Sequence, residues 1–201
     1  RHKTGPKAII RAWLIGSEPA GESDIRERIP ELTPLSNKIV AVAGLGCVGA
    51  PSALQFARAG VGEVRLLDGD FVGLGTTCRW PIGFSAAGWG KVRALETYVK
   101  QNYPLTRVGT NHYPPNTDGR MTIGSLSEGY DQADSLEKFF DGADLIYDAT
   151  TEEGINHLLS DMARDRGIPF ISVSSRSGGW GGSVVRITPA TEGCYVCYLH
   201  A

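Results

Sequence analysis

Between Lys38 and Ile187 the chain alternates short runs of consecutive apolar residues with stretches whose apolar positions recur at helical spacing. Ile39 to Ala43 is apolar at every position, the pattern of a strand covered on both faces. A glycine-punctuated turn follows, then a helical stretch from Val48 to Ala59 that ends at Gly60, a residue suited to a left-handed C-cap. Val64 to Leu67 reads as the next strand and closes on Asp68. Strand, turn, helix and strand within about 30 residues make the unit of a doubly wound parallel sheet.

The alternation continues further on. Lys91 to Asn102 has helical spacing (Val92, Leu95, Val99) and is stopped by Pro104, whereas Tyr113 to Asp131 is polar and reads as a long loop. A short helix is predicted around Leu136 to Phe140, a strand over Asp144 to Tyr147, a helix from Glu152 to Arg166, and strands over Phe170 to Val173 and Ser183 to Ile187. The predicted fold class is α/β: a Rossmann-like, doubly wound, mostly parallel sheet with helices on both faces. Residues 1–37 fit this pattern poorly. Ala8 to Ile15 has the makings of a short strand, but 16–34 is polar and broken by Pro19, Pro30 and Pro34, so 1–37 reads as an N-terminal arm or linker before a domain over 38–201.

Composition narrows the function classes. Twenty Lys+Arg against 22 Asp+Glu give a net charge of −2, which supplies no basic field for nucleic acid. The 41% apolar and 21% charged content is that of a globular protein, and no apolar run approaches the roughly 20 residues that cross a bilayer. A cytoplasmic protein without membrane or nucleic-acid partners is expected. Arg1 in place of a starting methionine, and Ala201 so soon after a cysteine pair, read as cuts within a longer protein.

Gly44-Leu45-Gly46-Cys47-Val48-Gly49 has the G-x-G-x-x-G pattern between a strand and a helix. Small residues there let backbone N–H groups and the positive helix end approach a phosphate. Asp68, about 20 residues on at the end of the next strand, is placed to accept hydrogen bonds from a ribose. Asp70, Arg79 and Lys91 follow in order on loop and helix-start positions. Two fixed cations and a carboxylate beside a nucleotide suit a triphosphate with magnesium and a reaction that expels pyrophosphate. The glycine pattern alone leaves NAD, FAD and ATP open.

Cys194 and Cys197 form a C-x-x-C pair, half of a tetrahedral zinc site, with a redox dithiol as the rival reading. Cys47 and Cys78 read as ordinary small residues, and the four histidines (2, 112, 157, 200) as structural or surface groups. Trp80, Trp89 and Trp180 adjoin glycine-rich segments and read as packing residues.

Taken together, GLGCVGA (44–50), RAGVGEVRLLDGD (58–70), TTCRW (76–80), GKVRALETYVKQNYP (90–104), DLIYDAT (144–150), GIPFISVSS and GCYVCYL (193–199) resemble the ThiF/HesA/MoeB family, relatives of ubiquitin-activating enzymes. The likeness covers Lys38 to Ala201. It implies adenylation by ATP and magnesium of the C-terminal carboxylate of a ubiquitin-like or sulfur-carrier protein, with release of pyrophosphate. By position it implies that Gly44, Gly46 and Gly49 cradle the nucleotide and that Asp68 holds the ribose. Arg79 and Lys91 would contact the phosphates, and Cys194 and Cys197 would be the first pair of zinc ligands, their partners lying later in family chains. Family members are generally dimers in which an arginine of a partner's N-terminal arm reaches the nucleotide, a role open to Arg26 or Arg28.

Three departures stand out. Thr76 occupies the place of a family asparagine, Trp80 that of a glutamine, and Thr151 that of the aspartate linked to magnesium. Asp148, three residues earlier, is the remaining candidate magnesium ligand, with Glu152 and Glu153 next in line. The DATxE form with its following GG turns resembles bacterial members associated with ubiquitin-conjugating-like domains. An adenylyltransferase is therefore the leading expectation. A catalytically degenerate member that binds a protein or peptide stands second, on Thr151, and an NAD-dependent oxidoreductase third, on the glycine loop alone.

Overall fold

Strand β1 (Ile39–Ala43) runs through the middle of the protein, and its alternation divides the core in two. Val40 and Val42 face a cluster with Leu54, Val64, Leu66 and Leu95. Ala41 and Ala43 face the other side, where Phe139, Phe140, Ile146, Leu159 and Phe170 supply the bulk. A strand with large side chains on one face and alanines on the other needs large partners opposite the alanines, and the two phenylalanines meet that need at full burial. The computed structural model describes residues 12–19, 21–27, 29–124, 131–190 and 193–199.

The chain enters through helix α1 (Glu22–Arg26) and a 3-10 segment, Pro30–Asn37, before β1. Then come α2 (Gly49–Arg58), β2 (Glu63–Leu67), 3-10 turns at Leu74–Thr76 and Gly83–Ala86, α3 (Lys91–Asn102) and β3 (Arg107–Gly109). Helix α4 (Gln132–Phe140) leads to β4 (Leu145–Asp148), α5 (Glu153–Asp165), β5 (Phe170–Ser175), β6 (Gly182–Ile187) and the short α6 (Tyr195–Leu199). The six strands lie in the order β3-β2-β1-β4-β5-β6, parallel except for β5 with β6. This is the doubly wound α/β sheet expected. The chain leaves β1 toward β2 on one side and returns to β4 on the other, so a crevice opens at the carboxyl ends of β1 and β4.

Most predicted elements appear within one or two residues of their expected bounds. Strand β3 was not foreseen, because three residues are too few to show a period of two. Of the short strand expected over Ala8–Ile15, residues 8–11 lie outside the described residues and 12–15 carry no regular structure. Helix α1 and the 3-10 segment after it are attached to the main body. Leu35 packs against the core, and the Gly62 N–H donates to its carbonyl at 2.9 Å. Arg26 is buried and donates to the Gly60 carbonyl at 3.0 Å, so it is engaged within its own chain, while Arg28 lies outside the described residues. Trp80 is buried as expected, but Trp89 and Trp180 are exposed rather than packed. Among the described residues no helix is long and apolar enough to cross a membrane.

Candidate functional site

The turn from β1 to α2 is built from its glycines. Gly44 has a φ of 79°, and a Cβ on it would fall 2.6 Å from the Ala149 carbonyl carbon. A Cβ on Gly49 would fall 1.8 Å from the Gly44 carbonyl oxygen. Both residues are thus fixed by the chain's own packing at the close approach of β1, α2 and the end of β4. Gly46 differs, since nothing lies within 4 Å of where its Cβ would be. Its backbone faces open space.

Asp68 ties this turn to β2. Its Oδ2 accepts from the Leu45 N–H at 2.6 Å, its Oδ1 accepts from the Asp70 N–H at 2.8 Å, and the side chain is largely buried. Lys91, the first residue of α3, donates to Asp68 Oδ2 at 3.3 Å and to Asp70 Oδ2 at 2.7 Å. Its position follows from bonds of the Lys91 N–H to the Asp70 carbonyl and of the Val72 N–H to the Trp89 carbonyl, which pin the start of α3 to the loop after β2. Asp68, Asp70 and Lys91 are therefore brought together as the sequence pattern predicted.

A cavity of about 410 Å³ opens beside them. Gly44, Asp68, Gly69, Asp70, Thr150 and Glu152 form its polar wall, and Leu67, Met121, Ile123 and Ile155 its apolar one. Met121 is held there by its N–H, which donates to the Asp68 carbonyl at 3.1 Å. The part of this wall at Met121 and Ile123 is not legible in the sequence, because residues 113–131 carry no periodicity.

Arg79 is exposed, is not part of the cavity wall, and forms no ion pair among the described residues. Its neighbour explains why: Trp80 is buried and donates from Nε1 to the Leu45 carbonyl at 2.8 Å, anchoring the loop to the glycine turn and leaving Arg79 outside. The residue that departs from the family glutamine thus braces the glycine turn.

Asp148 is the last residue of β4 and is not part of the cavity wall. This carboxylate is wholly buried, and both oxygens are occupied: Oδ1 accepts from the Thr150 N–H and hydroxyl at 3.0 and 2.8 Å, and Oδ2 from Asn156 Nδ2 at 2.5 Å. Through these bonds it holds the turn after β4 to the start of α5. Of the two carboxylates next in line, Glu152 faces the cavity, whereas Glu153 lies 3.9 Å from His157 one helical turn on. Just before Glu152, Thr151 has a φ of 60°, a left-handed conformation that is costly for a β-branched residue.

Cys194 and Cys197 lie apart from this cavity at the start of α6, with 3.4 Å between their sulfurs. Hydrogen bonding with the Cys197 backbone and side chain lowers the Cys194 thiol below its ordinary range. The pair is close enough to share one metal ion or one disulfide, and no group of three or more metal-ligating side chains occurs among the described residues. Cys47 and Cys78 are free and exposed. His112 is buried, its Nε2 2.9 Å from the Leu66 carbonyl, and burial lowers its pKa to about 4, a structural role as expected.

The arrangement resembles known proteins at several levels. The structure of E. coli tRNA N6-threonylcarbamoyladenosine dehydratase, TcdA, in complex with ATP superposes with a TM-score of 0.58 at 21% identity, covering 74% of this chain and 56% of that one, a likeness of fold. Protein y4qC of Sinorhizobium fredii is 36% identical over 188 residues, 90% of this chain and 30% of that protein. The adenylyltransferase and sulfurtransferase MOCS3 of Culex quinquefasciatus is 30% identical over 142 residues, 70% of this chain and 29% of that protein. The chain thus spans about 30% of the length of these curated relatives. The ThiF family model matches residues 24–201, from α1 to the cysteine pair and beyond, and by that match the chain belongs to the ThiF family.

Proposed function

We propose that this chain binds ATP in the cavity at the ends of β1, β2 and β4 and adenylates a carboxylate, the C-terminal one of a ubiquitin-like or sulfur-carrier protein. A carboxylate oxygen attacks the α-phosphorus, the bond from that phosphorus to the bridging oxygen breaks, and pyrophosphate leaves with the electron pair. The observation that carries the reading is Asp68, fixed by two backbone N–H groups against the glycine turn with Lys91 bonded to it. A carboxylate held in this way keeps one acceptor position, on Oδ1, for a ribose hydroxyl, and the ammonium beside it matches a phosphate.

Each remaining wall takes one part of the nucleotide. The open backbone at Gly46 and the start of α2 receive phosphate oxygens. Met121, Ile123 and Ile155 offer an apolar surface to the base. Arg79, exposed and without an ion-pair partner among the described residues, is available to the outer phosphates and the leaving pyrophosphate. Magnesium would neutralise phosphate charge, and Asp70 and Glu152 are the carboxylates facing the cavity that fit it. Cys194 and Cys197 would contribute two thiolates to a structural zinc site, completed by ligands outside the described residues. The relatives' names support the chemistry: MOCS3 is an adenylyltransferase, and TcdA was solved with ATP. A homodimer, a cytoplasmic setting and an associated ubiquitin-conjugating-like domain complete the proposal.

ATP–pyrophosphate exchange with magnesium and a ubiquitin-like protein ending in Gly-Gly tests it. Exchange that depends on the carrier and collapses in Lys91→Ala is expected; absence of ATP binding by calorimetry would overturn it. The buried Asp148 and the threonine at 151 favour one second reading, a member that binds nucleotide and partner without turnover. Under that reading ATP binds, exchange is absent, and Glu152→Gln changes nothing.

A further inference from the structure

Helix α6 carries the cysteine pair, and one side chain seats it. Tyr195 is the buried residue of this helix among those described, with its ring edge-on to His157 (5.4 Å between centroids) and to Phe170 (6.2 Å). Its hydroxyl donates to Asn156 Oδ1 at 3.4 Å. From the other side of the same amide, Asn156 Nδ2 donates to Asp148 Oδ2 at 2.5 Å and to Thr150 Oγ1 at 3.1 Å. Asp148 Oδ1 accepts the N–H and hydroxyl of Thr150, and Thr150 lines the cavity with Glu152. The orientation of the amide is fixed chemically, since reversing it would set its oxygen against the Asp148 carboxylate and its N–H₂ against the donating phenol.

We propose that Tyr195 is a positioning residue for the cavity: through Asn156 it holds the Asp148–Thr150 turn, so that the seating of the cysteine-bearing helix and the shape of the ligand wall form one coupled unit. The turn needs such support, because the next residue, Thr151, is held in a left-handed conformation that persists only when its surroundings over-determine it. Coupling of this kind is reciprocal. A ligand that orders the turn steadies α6, and whatever fixes the two cysteines steadies the turn. The nucleotide reading above supplies only the identity of the ligand used as a probe.

Tyr195→Phe is the discriminating variant, since it keeps the ring packing and removes one hydroxyl. Amide hydrogen exchange over 149–152 and 194–199 in the nucleotide-free protein reads the turn and the helix, and calorimetry with ATP reads the cavity. The variant is expected to speed exchange over 149–152 by about 3- to 10-fold, the size of one neutral hydrogen bond, with a similar rise in ATP Kd and no change in β1 or β2. Asn156→Ser gives a larger effect, and adding Tyr195→Phe to it changes nothing further, the signature of a shared path. Bound ATP slows exchange over 194–199 in the native protein and fails to do so in Tyr195→Phe. An effect of Tyr195→Phe confined to α6, or one that adds fully to Asn156→Ser, would overturn the relay. Native protein that binds no ATP would overturn the nucleotide reading, and the exchange comparison would still decide the relay.

Discussion

At the amino ends of the strands, charged side chains are closed on one another. Glu63 is buried between Arg65 and Arg107, and Arg65 also donates to the carbonyls of Lys138, Phe139 and Asp141 at the end of α4. Nearby, burial pushes the Asp144 carboxyl up, but the Lys38 ammonium and the Ile39 N–H outweigh it and hold the group below its usual range. At the carboxyl ends the charges are left open. Asp70 and Glu152 are exposed, Arg79 has no ion-pair partner among the described residues, and Lys91 bridges two carboxylates at a cavity mouth. The same sheet thus carries two kinds of electrostatics: at one end each charge completes a fold contact, and at the other each keeps bonding capacity for a ligand.

Mutations at the two ends should therefore separate stability from binding. Arg65→Met leaves Glu63 and three carbonyls at and just past the end of α4 short of a donor inside the protein, and should cost about 3–5 kcal/mol in urea unfolding with ATP affinity unchanged wherever the protein stays folded. Away from both ends, His112 should give the molecule its acid sensitivity. Because its folded pKa is lowered to about 4 from the ordinary 6.5, the unfolded chain takes up the proton first. Its contribution is fully present above pH 6.5 and is lost as the pH falls toward 4, a change of about 3 kcal/mol that His112→Phe should abolish in unfolding midpoints measured against pH.

The converse of Arg65 is Lys91. Lys91→Met should weaken ATP binding by about 1.5–3 kcal/mol, roughly 10- to 100-fold in Kd by calorimetry, and lower stability less than Arg65→Met does, because Asp68 keeps its two backbone N–H donors. Equal losses of stability in Lys91→Met and Arg65→Met would erase the contrast between the ends. The smallest effect concerns Thr151. Asn tolerates the left-handed region better than a β-branched residue, so Thr151→Asn should raise stability by about 1 kcal/mol in thermal unfolding.

The sequence made the backbone of the site legible wherever local chemistry is directional. The glycine spacing, the acid closing β2 and the lysine opening α3 all occupy places where a strand or helix end dictates direction, and the structure brings Asp68, Asp70 and Lys91 together. What was not legible depends on side-chain rotation and on contacts distant in sequence. Asp148 ends β4 and Glu152 follows it closely, and only the Asn156 amide, a full turn into α5, reveals that the aspartate is bonded within the fold. The apolar wall at Met121 and Ile123 belongs to a segment without periodicity, placed by a pairing of Asp68 with Arg120. Trp80 stood out in the sequence as a departure, and its bond to the Leu45 carbonyl gives that departure a physical reason.

The double attachment of Lys91 bears on how a ligand enters. A phosphate arriving at this ammonium meets a cation already neutralised by Asp68 and Asp70, so capture is an exchange of anions rather than the filling of a bare positive site. Raising salt then screens the resident carboxylates along with the incoming phosphate, and the affinity should depend on ionic strength less steeply than the ligand's charge alone would suggest. Under the proposed function, small free anions gain little by lodging there, and the site should favour an occupant that brings a base and a sugar along with its phosphates.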